Sequence, residues 1–127
     1  MTRILERIPY ARFLGVTAEE GPDGLVCVLP FHDVIVGNAA LPAVHGGALG
    51  AFLELAAIVQ LVAESEGARL PKPINFAIDY LRSAGPRATR ARATVVKLGR
   101  RIANVHVVAW QDDAARPVTT GNGKFLL

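Results

Sequence analysis

The residues of this chain best suited to chemistry are His45-Gly46-Gly47 and Glu54. From Ala48 to Ala63 the only polar side chains are Glu54 and Gln60, so the segment reads as a helix with no face suited to water and buried on all sides. An unpaired carboxylate in such an element is costly or takes up a proton. Glu54 is therefore either held by a core Arg or a backbone group, or kept as a base or nucleophile, since ionisable groups in such surroundings gather at functional sites.

The two glycines stand where a loop enters that helix, a place where unpaired N–H groups point outward and the helix dipole favours negative charge. Without side chains they either let a substrate carbonyl approach those donors, forming an oxyanion hole, or simply allow the helix end to pack closely on a strand. Glu54 lies seven residues beyond Gly47, roughly 10 Å along one helix at about 1.5 Å per residue. Reacting groups must approach within roughly 3–3.5 Å. Two chains with antiparallel helices would close that gap, the helix start of one facing Glu54 of the other.

The elements that would position these groups follow from the pattern. Residues 2–8 (TRILERI) carry apolar side chains at helical spacing and predict a short N-terminal helix stopped by Pro9. A turn at Gly21-Pro22-Asp23-Gly24 introduces a strand from Leu25 to Pro30, with His32 to Val36 continuing it or forming a second short one. Gly37 to Val44 reads as a loop delivering the chain to His45, and the long helix then runs to about Ser65, ending near Gly67. Beyond Pro73 the period changes to two, with runs over 74–80, 88–98, 102–111 and 117–126. Their separators, at 83–86, 99–100 and 111–114, are short enough for antiparallel hairpins. The expected architecture is α+β: one domain over residues 1–127, with an antiparallel sheet of five to six strands curled round a central helix.

Hydrophobic residues make up 51% of the chain, more than a small monomer hides easily, which predicts self-association. The apolar run around Glu54 reads as too short for a membrane span, and Arg3, Glu6, Arg7 and Arg12 stand where a signal peptide would have its apolar core. The expected location is cytoplasmic, with no membrane partner. Cys27 is the only cysteine, in a strand-like context that suits an inert core residue. The net charge of +3 gathers as arginines and a lysine between Arg82 and Arg101. Without interleaved aromatic residues this region does not suit nucleic acid; it suits either a small polyphosphate ligand or the wet face of a strand.

At this point the residues resemble a family. NAALPAVHGGALGAFLELAA is similar to the loop and helix of the hotdog-fold acyl-CoA thioesterases, in particular the phenylacetic-acid-degradation type related to 4-hydroxybenzoyl-CoA thioesterases. The signature positions are Asn38, His45-Gly46-Gly47 and Glu54, where many members carry Asp in place of Glu54. INFAIDYLRSA, KLGRR and GNGKFLL also resemble family strands, so the likeness runs from about Gly15 onward. It implies a hotdog fold and hydrolysis of an acyl-CoA thioester to free acid and CoA. Glu54 would be nucleophile or general base and Gly47 N–H would polarise the carbonyl. Asn38 and His45 would orient the thioester or the attacking water, or His45 would instead fix the loop. The acyl pocket would be lined by Leu49, Phe52 and Leu53 with partner residues, Arg82, Arg100 and Arg101 would meet the CoA phosphates, and Ser83 would also bind the substrate. No metal or cofactor is implied beyond the coenzyme A of the substrate; a homodimer, and a tetramer as a dimer of dimers, are.

Ala63-Glu64-Ser65-Glu66-Gly67 imitates a nucleophile elbow, but it closes a helix instead of joining a strand to one. A hotdog-fold hydratase or dehydratase would place its His differently. A non-catalytic acyl-CoA-binding or sensing protein would have no need of Glu54.

Overall fold

The computed structural model describes residues 2–65 and 69–127. Two short helices open the chain, α1 (Thr2–Glu6) and α2 (Pro9–Leu14). Pro9 does more than stop the first helix. Its fixed φ and missing N–H suit the first helical position, Ile8 before it is extended, and so it starts the second helix. Gly15, at φ 76°, ends α2 by returning its N–H to Ala11 and Arg12.

Strands β1 (Thr17–Gly21) and β2 (Gly24–Leu29) form a hairpin. Of these only β2 carries an apolar pattern. In β1 Ala18 packs against the core while Thr17, Glu19 and Glu20 are exposed, as an edge strand tolerates. The stretch His32 to Val36, expected as strand, instead turns as 3₁₀ helix over Asp33–Ile35, and the expected loop from Gly37 to Val44 is bounded by a two-stranded ribbon, β3 (Val36–Asn38) with β4 (Ala43–Val44). Helix α3 (Gly46–Ser65) follows; its expected end near Gly67 lies outside the described residues. The remaining strands are β5 (Lys72–Tyr80), β6 (Thr89–Leu98), β7 (Ile102–Trp110) and β8 (Thr119–Leu126).

The main sheet is antiparallel with six strands in the order β1-β2-β6-β7-β8-β5, curled around α3 in the hotdog arrangement that the resemblance implies. The separator at 83–86 is therefore no hairpin: β5 pairs with β8 at the far edge. Side-chain shape explains this partner. Gly121 and Gly123 of β8 leave room for the Phe76 ring, and a Cβ at Gly121 would stand 2.7 Å from it. Phe76 then meets Phe125 edge-on, with ring centroids 6.0 Å apart.

At 20 residues α3 is long and apolar enough to cross a membrane, contrary to the expected shortfall, but here it is the core helix. Phe52, Leu53, Val59 and Leu61 are completely or almost completely buried with Leu14, Leu29, Val105, Val107 and Phe125. The sheet does not enclose it fully. Gly47 is exposed and Ala51, Glu54 and Ile58 are half-buried, at i, i+4, i+7 and i+11, so a narrow line of the helix stays uncovered where full burial was expected.

Candidate active site at the start of the central helix

The loop leading into α3 is held by backbone bonds. His45 N–H donates to Ile35 C=O at 2.7 Å, and Val44 N–H donates to Ala84 C=O at 2.9 Å. Gly37 lets the loop cross closely, since a Cβ there would lie 2.8 Å from His45 Cα. Asn38 accepts the Ala40 N–H at 3.0 Å, an Asx turn that fixes its own loop.

His45 caps the helix. Its Nδ1 accepts the Gly47 N–H at 2.8 Å, satisfying one of the amides left unpaired in the first turn. With Nδ1 accepting, a neutral ring carries its hydrogen on Nε2. The ring also explains the second glycine: a Cβ on Gly47 would stand 2.9 Å from Nδ1. Tyr80, which sequence reasoning did not single out, closes the other side, its hydroxyl donating to Gly46 C=O at 2.8 Å. The available signal was its place at the end of the alternation Ile74, Phe76, Ile78, Tyr80.

Glu54 sits two turns beyond Gly47 on the uncovered line. Among the described residues no hydrogen bond or ion pair reaches it, so neither a core Arg nor a backbone group accounts for its presence. Burial pushes its carboxyl above the usual carboxylate range, because desolvation disfavours the charged form. Cys27, by contrast, is a core thiol pushed up to about 12 by burial. Among the described residues no three His, Cys, Asp or Glu side chains come together as a metal would need.

A cavity of about 380 Å³ lies beside the helix start, lined by Val44, Gly46, Leu49, Tyr80, Arg82 and Ser83 among others. Leu49, Arg82 and Ser83 thus stand together at the site. Phe52 and Leu53 are completely buried between helix and sheet instead. Arg82 is tied by its Nε–H to Pro117 C=O at 2.9 Å. Arg100 and Arg101 form the β6–β7 turn at the opposite end of α3, where Arg100 shares a second cavity, of about 450 Å³, with Glu64, Ser65 and Arg69. One chain therefore separates Arg82 from Arg100 and Arg101 by about the length of the helix, on the order of 30 Å for its 20 residues.

Residues 37–126, which hold the capped helix start, Glu54 and the strands β5 to β8, match the family described as the acyl-CoA thioesterase N-terminal domain. The chain belongs to this family. Among solved structures, a Chromobacterium violaceum protein is 36% identical, with 98% of this chain and 87% of that one covered at a TM-score of 0.79. A phenylacetic acid degradation-related protein from Ralstonia eutropha JMP134 is 25% identical, with 98% and 97% covered and a TM-score of 0.82. A Bacillus halodurans protein crystallised with CoA shares the fold at 22% identity, with 94% and 78% covered and a TM-score of 0.83. None of the curated proteins matches the sequence. The region that matches this family holds a carboxylate with no hydrogen-bond or ion-pair partner among the described residues and a helix start whose second amide is held by a histidine.

Proposed function

We propose that this protein hydrolyses acyl-CoA thioesters at a site shared by two chains, Glu54 of one acting on a carbonyl held at the α3 start of the other. The observation that carries this reading is the position of Glu54: desolvated, unpaired among the described residues, and on a line of α3 that the sheet leaves open. The roughly 10 Å between it and Gly47 rules out joint action within one helix, and the open line of small and apolar residues suits an antiparallel copy of itself. The sheet edge at β5 supports the same pairing, since Ile74, Tyr80 and Leu81 are each about half exposed there.

In this scheme the thioester oxygen takes the place of the His45 ring on the Gly47 N–H. His45 Nδ1 and the Asn38 amide then orient the thioester or the attacking water. Water adds to the carbonyl carbon as Glu54 takes its proton, the carbon–sulfur bond breaks, and that proton passes to the departing thiolate, leaving free acid and CoA. Direct attack by Glu54, giving an anhydride that water then opens, has the same products. Leu49 would border the acyl group, with Phe52 and Leu53 backing it from the core. Arg82 and Ser83, which line the same cavity as Leu49, meet the substrate's pantetheine arm beside the thioester. Antiparallel helices would also bring the partner's α3 terminus, with its adjacent Arg100–Arg101 turn, toward this helix start. A protein of the same fold holding CoA supports the ligand class. The protein would act as a homodimer, paired again into a tetramer, in the cytoplasm, needing only its acyl-CoA substrate.

The test is release of free thiol from a panel of acyl-CoA esters, followed by mixing of two inactive variants. Glu54→Gln and Gly47→Val should each be inactive alone, while a mixed dimer has one site with both lesions and one with neither. With random exchange, recovery should approach roughly a quarter of wild-type activity. No recovery after verified exchange of folded dimers would remove the shared site. Binding of acyl-CoA without thiol release would make the protein an acyl-CoA-binding module instead.

A further inference from the structure

Tyr80 has no part in the reaction above, yet it occupies the direct path along α3. Gly46 and Gly50 lie one turn apart on one face of the helix and leave a trough in its surface. Tyr80 and Ile78 fill it. A Cβ at Gly46 would stand 3.3 Å from Tyr80 Cε1, and one at Gly50 would stand 2.8 Å from Ile78 Cδ1 and 3.6 Å from the Tyr80 hydroxyl. The hydroxyl's bond to Gly46 C=O, at 2.8 Å, anchors the ring in this position. One further turn along the same face is Glu54, so the trough runs from the amide end of the helix towards the carboxylate.

The ring also walls the cavity of about 380 Å³ beside the helix start. That is near the lower end of the roughly 300–1,000 Å³ usual for ligand pockets, and the thioester and the end of the pantetheine arm must share it. We propose that Tyr80 sets the length limit of the acyl group, closing the trough along α3 so that the site takes short or single-ring acyl groups and turns away long aliphatic ones. This inference rests on the thioesterase reading and names its substrate class.

The experiment compares wild type, Tyr80→Phe, Tyr80→Leu and Tyr80→Ala on acetyl-, butanoyl-, octanoyl-, dodecanoyl- and benzoyl-CoA. It measures kcat/KM by thiol release and, in parallel, the affinity for non-hydrolysable thioether analogues of the same acyl groups. Wild type should favour the short and benzoyl esters. Phe keeps the ring and should keep the length profile. Ala opens the trough and should raise the octanoyl-to-butanoyl ratio about fourfold for each methylene newly buried, and so by roughly tenfold or more, with Leu between the two. The Leu variant keeps an apolar side chain in the trough and decides the matter if the Ala variant does not fold. An unchanged length profile in the folded Ala or Leu variant, by turnover or by binding, overturns the role of Tyr80. Analogue binding without thiol release from any ester counts against the proposed hydrolysis, while the binding profile still judges Tyr80.

Discussion

The two sides of α3 belong to one predominantly apolar helix and are in opposite situations. On the clasped side Phe52, Leu53, Leu55, Ala56 and Val59 are sealed by the sheet. On the open side Gly47, Ala51, Glu54 and Ile58 keep some contact with solvent. Within one chain the first side is finished and the second is not. Residues on the clasped side should therefore govern whether the chain folds, and residues on the open side what the folded chain can do.

The largest effect expected from that contrast is catalytic. Glu54→Gln keeps the size of the side chain and removes its charge, and turnover of acyl-CoA should fall by about two orders of magnitude or more while the circular dichroism spectrum stays that of wild type. Activity like that of wild type in the Gln variant would end the assignment.

Phe52→Ala tests the other side. A completely buried aromatic side chain cut to Ala should cost about 3–5 kcal/mol in denaturant unfolding. Ile58→Ala, on the open line, should cost clearly less in the same assay and show itself as weaker association in sedimentation. Equal losses of folding stability at both positions would erase the distinction between the two sides.

His45→Ala probes the helix start, where the ring accepts the Gly47 N–H. Loss of a helix cap should lower stability by about 1 kcal/mol. A variant with unaltered stability would mean that water replaces the ring at no cost.

The smallest effect is the pH dependence set by Glu54. Its carboxyl is raised by burial, so between the unfolded and folded pKa values the folded state binds more protons, and stability falls as pH rises through that window. Removing the ionisation should make Glu54→Gln the more stable protein at neutral pH, with the gap closing below the ordinary carboxylate pKa. The proposed reaction uses Glu54 in its ionised form, so the acid limb of kcat/KM should lie above the usual carboxylate range. A limb at or below that range would mean that another group controls the reaction.

The sequence by itself determined the local periods: one apolar helix from His45 onward, four later strands, the turn at Gly21–Gly24, and the His-Gly-Gly and Glu54 pair as the place to look. These follow from residues close together in the chain, where side-chain spacing dictates which face is apolar. Only the tertiary structure decided that β5 leaves its neighbour in sequence to pair with β8, because the fit of Phe76 against Gly121 and Gly123 joins segments more than forty residues apart. It alone placed Tyr80 over Gly46, gave the Gly47 amide to His45, and put Arg82 and Arg100 at opposite ends of one helix. An all-apolar helix also cannot announce which of its sides a sheet will miss. Composition sets how much surface must be hidden, and the curvature and reach of six strands decide which line of it remains for something else to cover.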